Sequence, residues 1–158
     1  MRCVVQRVTR SSVTVDGAVV SEIGKGLNVL CGVERDDTEA DCEYIARKLF
    51  DLRIFDDSEG KTNLSITDRR AAGEDVGLLL ISQFTLMGDA RHGKRPSFSN
   101  AMEYNAARDF FERFAAGMKA RCDALGICFG TGEFGGDMKV LIDNDGPFTI
   151  LLDSKKLF

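Results

Sequence analysis

The N-terminal segment carries the pattern that most restricts the fold of this chain. Valine recurs at strand-like spacing in residues 2–8 and 12–15, and a second apolar run follows at residues 18–20. Asp16-Gly17 stands between the two runs, and such a pair suits a type I′ turn because both central positions need a positive φ. The sequence therefore predicts a β-hairpin at the start of the chain.

The rest of the chain alternates strand-like runs with two stretches of helical period. Apolar residues at three- and four-residue steps predict a first helix through Cys42, Ile45, Leu49 and Leu52. Asn100 and Glu103 fit a capping box for a second helix with this apolar stripe: Ala107, Phe110, Phe111, Phe114, Met118, Cys122 and Leu125. Further strands are predicted at residues 27–33, 52–55, 62–67, 76–86, 139–143 and 148–152, and a loop at 68–75. These elements predict one α+β domain over residues 1–158, a mostly antiparallel, barrel-like sheet with two main helices.

Cysteine spacing and composition exclude several classes of protein. The five cysteines are scattered, no two have C-x-x-C spacing, and His92 is the only histidine. We therefore expect no metal, no cofactor and no disulfide framework, and interpret the cysteines as buried small hydrophobic residues. No apolar run has the length of a membrane span, and the N-terminus lacks the apolar region of a signal peptide. A cytoplasmic protein with no membrane partner is expected.

A basic segment stands out in a chain that is acidic overall. The net charge of −4 and the pI of about 5.1 do not suggest a general nucleic-acid-binding protein. Arg91, Lys94 and Arg95 nevertheless fall within five residues, with His92 among them. The segment is either a solvated surface loop or a local patch for RNA phosphate.

The segment SQFTL at residues 82–86 is the strongest candidate for chemistry. The chain has no G-x-S-x-G, Walker A or H-E-x-x-H motif. Polar Ser82, Gln83 and Thr85 end a strongly apolar strand, where hydroxyl groups and backbone N–H groups could stabilise an oxyanion. The alternative is that polar residues simply end the strand.

Gly146-Pro147 separates the last two predicted strands in a chain with two prolines. The pair fits the turn of a hairpin. It also fits a cis peptide, which occurs almost only before proline and turns two successive carbonyl groups to the same side. Both interpretations stay open at this point.

Three segments together resemble the D-aminoacyl-tRNA deacylase family: SQFTL at 82–86, RPSFS at 95–99 and NDGPFTI at 144–150. The stretches MRCVVQRVTRSSVTVDG, IGKGL, LRIFDD and FGGDM are similar to that family in the same order, so the resemblance covers essentially the whole chain. It implies a homodimer with active sites at the interface, and hydrolysis of the ester between tRNA and a D-amino acid or glycine.

The resemblance also implies roles for individual residues. Gly146 and Pro147 would form a cis element that enters the partner's site and rejects L-amino acids. Arg7 is a charged residue in a strand-like run; it is either an outward-facing residue or, as the resemblance implies, helps to hold that element. Ser82, Gln83, Phe84 and Thr85 would form the opposite wall. Either Thr85 is a nucleophile, or the N–H groups of Phe84 and Thr85 act with the RNA 2′-hydroxyl. Arg91, Lys94 and Arg95 would contact tRNA phosphates.

Two positions depart from the family pattern. Phe148 follows Gly-Pro where valine is usual, and Met87 follows SQFTL where an aromatic or small residue is common. Phe148 raises the question of how strictly the pocket rejects L-amino acids. Two other classes of function stay open: a non-catalytic module that binds tRNA or DNA, and a small-molecule esterase.

Overall fold

A computed structural model describes residues 1–157 and confirms the predicted α+β class. Its elements, in chain order, are β1 Arg2–Val15, β2 Ala18–Ile23, β3 Gly26–Gly32, α1 Glu39–Asp51, β4 Phe55–Asp56, β5 Thr62–Leu64, α2 Ile66–Ala71, β6 Gly77–Ser82, α3 Tyr104–Leu125, β7 Cys128–Thr131 and β8 Met138–Asp153. The main sheet has the order β2-β1-β3-β6-β7, and β8 pairs with the other side of β1. β4 and β5 form a separate small hairpin.

The predicted N-terminal hairpin is confirmed. Asp16 has φ of 49° and Gly17 has φ of 81°, the left-handed values that a type I′ turn requires. β1 runs without interruption across residues 2–8 and 12–15, the two stretches with valine at strand-like spacing. The sheet is mostly antiparallel, but β6 pairs in parallel with both β3 and β7.

The sheet is bent into an almost closed barrel. Its two ends approach each other where Gly130 on β7 lies against Ser21 on β2. A Cβ atom at Gly130 would meet the Ser21 hydroxyl as that side chain is oriented here, so glycine suits this close approach. β6 is buried along nearly all of its length, as a strand covered on both faces should be.

Both main helices form on the predicted faces, with corrections at their ends. α1 has Thr38 as N-cap in a capping box with Asp41, and buries the predicted Cys42, Ile45 and Leu49. α3 buries its predicted stripe up to Cys122, whereas Leu125 is exposed. The predicted box of Asn100 and Glu103 is wrong. Glu103 is itself the N-cap, and its carboxylate accepts hydrogen bonds from the first turn of α3.

Two short elements escaped the sequence analysis. α2 occupies part of the predicted strand 62–67 and of the predicted loop 68–75. Ser65 begins it, because its hydroxyl oxygen accepts from the Asp68 N–H while the Asp68 carboxylate accepts from the Ser65 N–H. β7 was also missed, since its four residues contain one buried position.

The cysteines follow the prediction with one exception. Cys3, Cys31, Cys42 and Cys122 are buried free thiols, whereas Cys128 is exposed. Burial raises the pKa of the Cys42 and Cys122 thiols to about 12, so neither is a nucleophile at neutral pH. Within residues 1–157 no group of three or more His, Cys, Asp or Glu side chains could hold a metal ion. No helix of that range is both long and apolar enough to cross a membrane.

Candidate active site

The SQFTL segment forms a tight turn at the end of β6. Ser82 is the last residue of the strand, and the Gln83 N–H donates a 2.7 Å hydrogen bond to the Cys31 carbonyl on β3. A 3-10 turn, Phe84–Met87, follows directly. Gly32 at the end of β3 packs against this turn, and a Cβ atom there would lie 2.8 Å from the Gln83 carbonyl oxygen. The turn is therefore held on a rigid part of the sheet.

The first two residues of this turn present unpaired backbone donors. In a 3-10 turn capped by Gln83, the first internal bond is from the Leu86 N–H to the Gln83 carbonyl, at 3.3 Å. The N–H groups of Phe84 and Thr85 precede it and have no acceptor within the turn. Two adjacent N–H groups of this kind are the elements of an oxyanion hole.

The Thr85 hydroxyl is engaged by a neighbour that cannot act as a base. The Gln83 side-chain amide donates to Thr85 Oγ1 over 2.5 Å. A carboxamide does not take up a proton at neutral pH, whichever way it is oriented. The only histidine, His92, is exposed in the basic loop. These contacts supply no activating base for a threonine nucleophile.

A cleft of about 760 Å³ opens beside the turn. Its wall is mainly aromatic and apolar, and includes Phe84, Phe98, Met102, Tyr104, Phe134 and Met138. Phe84 is 58% exposed and packs edge-on against Phe98, with ring centroids 5.1 Å apart. Tyr104 packs in the same way on Phe134, at 5.5 Å. A cleft of this size and character suits a planar aromatic ligand.

Met87, by contrast, does not line the cleft. Its side chain is buried, and its terminal methyl would lie 2.9 Å from a Cβ atom placed on Gly32. The departure from the family pattern at this position therefore affects the packing under the turn.

Gly146 and Pro147 lie in a bulge within one continuous strand, so the hairpin interpretation is wrong. Both halves of β8 pair with β1, and the register changes from Gln6 opposite Thr149 to Val8 opposite Asn144. The four residues 145–148 thus face a single residue of β1, Arg7. The Gly146-Pro147 peptide is cis, Gly146 has φ of 127°, and both residues are exposed.

Arg7 is buried and directed at this bulge. It is 7% exposed, which contradicts the interpretation of an outward-facing charge. Its Nε donates to the Asp145 carbonyl at 3.2 Å, and its Nη1 donates to the Ile54 carbonyl at 2.8 Å. A Cβ atom on Gly146 would lie 3.4 Å from Arg7 Nη2. Arg7 therefore contacts the segment that carries Gly146 and Pro147.

The two predicted walls of the site do not meet within one chain. The cleft beside Ser82, Gln83 and Phe84 includes Met138 and Val140 at the start of β8, but not Gly146 or Pro147. Gly146 is six positions along the strand from Val140, which corresponds to about 20 Å of extended chain.

The basic segment forms a surface loop closed by an antiparallel bridge between Asp89 and Ser97. Arg91 makes a bidentate ion pair with Asp89, with N–O distances of 2.9 and 2.6 Å. The guanidinium of Arg91 holds the pKa of the Asp89 carboxyl well below its usual range. Within residues 1–157 no carboxylate lies at ion-pair distance from Lys94 or Arg95, and both are exposed. The three cations are therefore not equivalent.

Comparison with known proteins matches this geometry to one family. The family model described as D-Tyr-tRNA(Tyr) deacylase matches residues 4–153 of the chain. The chain belongs to this deacylase family. D-aminoacyl-tRNA deacylases of Clostridium botulinum strain Hall and of Thermoanaerobacter sp. strain X514 are 50% and 51% identical to it, over the full length of both chains in each case.

Solved structures related to the deacylase family share the fold. A protein described as c-Myc DNA Unwinding Element Binding Protein is 39% identical, with a TM-score of 0.87 over 97% of this chain and 98% of that one. A probable eukaryotic D-amino acid tRNA deacylase superposes with a TM-score of 0.79, over 96% of this chain and 97% of that one, at 17% identity. The second comparison concerns the fold alone.

The sequence analysis of this deacylase-family chain missed part of the cleft wall. Phe98, Tyr104 and Phe134 were not recognised as candidate site residues, although RPSFS and FGGDM contain two of them. The glycines after Phe134 were the available signal. A Cβ atom on Gly135 would collide with the Tyr104 hydroxyl, so the aromatic wall needs glycine there.

Proposed function

We propose that this chain hydrolyses the ester bond of D-aminoacyl-tRNA, releasing tRNA and the free D-amino acid. The observation that carries the proposal is the turn Phe84–Met87 at the end of β6, whose first two N–H groups have no acceptor within the turn and which lies beside an aromatic cleft. The names of the full-length relatives at 50–51% identity support the same activity.

The proposed mechanism uses the backbone of the turn and the substrate itself. The N–H groups of Phe84 and Thr85 bind the developing oxyanion of the ester carbonyl. The 2′-hydroxyl of the terminal ribose neighbours the ester and assists the attack of water. Because the Thr85 hydroxyl is hydrogen-bonded to an amide and not to a base, we propose that Thr85 does not form an acyl-enzyme. The RNA of the substrate thus supplies the assistance that a side-chain base gives in a conventional catalytic set.

The aromatic cleft would hold the unpaired 3′ end of the tRNA. Single-stranded nucleotides bind proteins mainly by stacking on aromatic side chains. Phe84, Tyr104 and Phe134 offer such faces beside the turn, in a volume of about 760 Å³. The exposed cations of the loop, Lys94 and Arg95, would contact phosphates of the same tRNA.

Rejection of L-amino acids is proposed to come from Gly146 and Pro147 of a second subunit. Once the α-amino group and the carbonyl are bound, chirality fixes the direction of the side chain. In our proposal a D side chain points to solvent, and an L side chain collides with the Gly-Pro backbone. Glycine has no side chain, so glycyl-tRNA should also be hydrolysed.

The exposed strand β8 is the proposed contact between subunits. It pairs with β1 on one side, and Leu141 and Leu151 on it are 48% and 57% exposed. Long unpaired strand edges with apolar residues favour association with a second chain. Homodimerisation would bring the Gly146 bulge of one subunit to the cleft of the other. We propose that the chain acts in this form in the cytoplasm, as a single deacylase domain.

One assay tests the activity and separates it from the alternatives. D-Tyr-tRNA, L-Tyr-tRNA and Gly-tRNA are incubated with the protein, and ester loss is followed over the spontaneous rate. Loss of the D-tyrosyl and glycyl esters, with the L-tyrosyl ester spared, is the expected result. Binding without hydrolysis would favour a nucleic-acid-binding module, as the name of the 39% identical structure suggests for that protein. Hydrolysis of a simple ester but of no aminoacyl-tRNA would favour an esterase.

A purified heterodimer tests the cross-subunit arrangement. One subunit carries Phe84→Pro, which removes an oxyanion donor, and the other carries Gly146→Ala, which is strained at φ of 127°. If each site is shared between subunits, the heterodimer has one site with an intact turn, and that site receives the intact Gly146 from the other subunit. L-Tyr-tRNA is then spared. If each site lies within one subunit, the heterodimer hydrolyses L-Tyr-tRNA as the Gly146→Ala homodimer does.

A further inference from the structure

We infer that Phe148 and Asp56 are positioning residues that hold Arg7 against the Gly-Pro bulge and so set the selectivity between D and L substrates. The inference rests on the proposed function, because selectivity has a meaning only if the chain hydrolyses aminoacyl-tRNA. It concerns two residues outside the predicted site, one of which departs from the family pattern.

Arg7 is held by acceptors from three residues in two parts of the chain. The Ile54 carbonyl and the Asp56 carboxylate accept from Nη1, at 2.8 and 3.4 Å. Asp145 accepts from Nε through its carbonyl oxygen, and its carboxylate also lies 3.2 Å from Nε. Ile54 and Asp56 belong to the segment around β4, which is separate from the main sheet. Arg7 therefore bridges the small hairpin to the bulge.

Phe148 provides the remaining wall around the guanidinium. The Arg7 Cζ atom lies 5.1 Å from the centroid of the Phe148 ring. A cation at this distance is attracted by the negative face of the ring, and the attraction is stronger when both groups are shielded from water. The ring itself is half-buried and packs on the main core. Its position is thus fixed independently of Arg7.

The same contacts fix the backbone on both sides of Gly146. Arg7 binds the Asp145 carbonyl immediately before Gly146, and the Phe148 N–H donates to Asn144 Oδ1 at 3.0 Å immediately after Pro147. Gly146 and Pro147 are themselves exposed. A steric barrier discriminates only if it does not yield, so loosening Arg7 should admit L substrates.

The proposed role of Phe148 also answers the question raised by its departure from the family pattern. A larger residue after Gly-Pro would alter the pocket if it pointed into the site. Here the side chain points toward the core and under Arg7. Phe148 therefore strengthens the support of the bulge and does not occupy the pocket.

Phe148→Leu is the decisive variant, because leucine keeps apolar volume but has no ring face. We expect the ratio of kcat/KM for D-Tyr-tRNA to that for L-Tyr-tRNA to fall about tenfold, through a rise in L-Tyr-tRNA hydrolysis. Phe148→Tyr keeps the ring and should keep the ratio. Ile150→Val is the matched control, since Ile150 is half-buried on β8, packs on the same core and carries no ring that could face Arg7.

Asp56→Asn tests the second residue. It should lower the ratio by about threefold, a smaller effect because the Asp56 side chain is 47% exposed and its ion pair is screened by solvent. The matched control is Asp143→Asn. Asp143, on β8, is likewise paired with an arginine, but that pair, with Arg10, is exposed and lies outside the bulge.

A spectroscopic measurement separates this inference from the proposed activity. The Arg7 Nε–H resonance should exchange slowly with water and be shifted by the Phe148 ring, and Phe148→Leu should abolish both features while Ile150→Val preserves them. Failure of the wild type to hydrolyse D-Tyr-tRNA would refute the proposed function alone. Normal hydrolysis with an unchanged D-to-L ratio in Phe148→Leu would refute the inference alone.

Discussion

The side-chain amide of Gln83 donates a hydrogen bond of 2.5 Å to the hydroxyl oxygen of Thr85. This pairing occupies the hydroxyl with a group that cannot remove its proton. Thr85→Ala should therefore retain kcat for D-Tyr-tRNA within about threefold, whereas loss of a true nucleophile costs on the order of 10⁴-fold or more. Rapid-quench assays on the wild type and variant measure this difference. A burst of released tRNA together with a trapped acyl-enzyme would contradict it.

Phe84 offers a way to remove one oxyanion donor without removing the turn. It occupies the first position of the 3-10 turn, where proline is tolerated, and Gln83 before it has φ of −147°. Phe84→Pro should lower kcat by about 10²- to 10³-fold. Phe84→Ala keeps the N–H and serves as the control. This variant lacks only the ring, so its defect should appear mainly in KM. Equal losses of kcat in the two variants would argue against a backbone donor.

The cations of the basic loop should contribute unequally to tRNA binding. Arg91 is already paired with Asp89, whereas Lys94 and Arg95 have no carboxylate partner within residues 1–157. Lys94→Ala and Arg95→Ala should each weaken binding and reduce the slope of log K against log salt by about 0.7 to 0.9. Arg91→Ala should change both quantities less. Titrations at several salt concentrations provide the slopes, and a dominant effect of Arg91 would reverse this order.

Two glycines should respond to alanine in opposite directions. At Gly32 the added Cβ would lie 2.8 Å from the Gln83 carbonyl oxygen, so Gly32→Ala should destabilise the fold by about 1–3 kcal/mol and lower turnover. At Gly117, inside α3, nothing lies within 4 Å of the added Cβ. Gly117→Ala should stabilise by about 1 kcal/mol without affecting activity. Urea denaturation measures the free energy of unfolding, which should fall in Gly32→Ala and rise in Gly117→Ala.

Asp68 should make stability depend on pH at the acid end. Hydrogen bonds from the Ser65 backbone N–H and hydroxyl lower the pKa of its carboxyl. A lowered pKa in the folded state stabilises the protein above the unfolded pKa of about 4 and loses this contribution as pH falls through the folded value. The free energy of unfolding should therefore decline below about pH 4, and Asp68→Asn should flatten that decline. Asp75→Asn, at a fully exposed carboxylate after the same helix, should leave the profile unchanged.

Sequence patterns predicted the elements that depend on residues close together in the chain. The hairpin at Asp16-Gly17 depends on two φ angles, and the buried stripes of α1 and α3 depend on helical spacing, so both were accessible from sequence. α2 was missed because six residues hold too little periodic signal.

Long-range pairing was not accessible in the same way. Two runs separated by Gly146-Pro147 look like a hairpin until their common partner, β1, is known. Arg7 looked like a surface charge because its partners, Ile54 and Asp145, are remote in sequence. For the same reason the sequence indicated the SQFTL turn but not the aromatic wall formed by Tyr104 and Phe134, which two separate segments bring together.

The pairing of β1 with β8 has a consequence for biosynthesis. Arg2 is opposite Asp153, so β1 waits for the synthesis of about 150 further residues before its outer edge is covered. Contacts this distant in sequence slow folding and leave hydrophobic edges exposed to other chains in the meantime. The newly made N-terminal hairpin should thus be the segment of the nascent chain that most needs protection by chaperones.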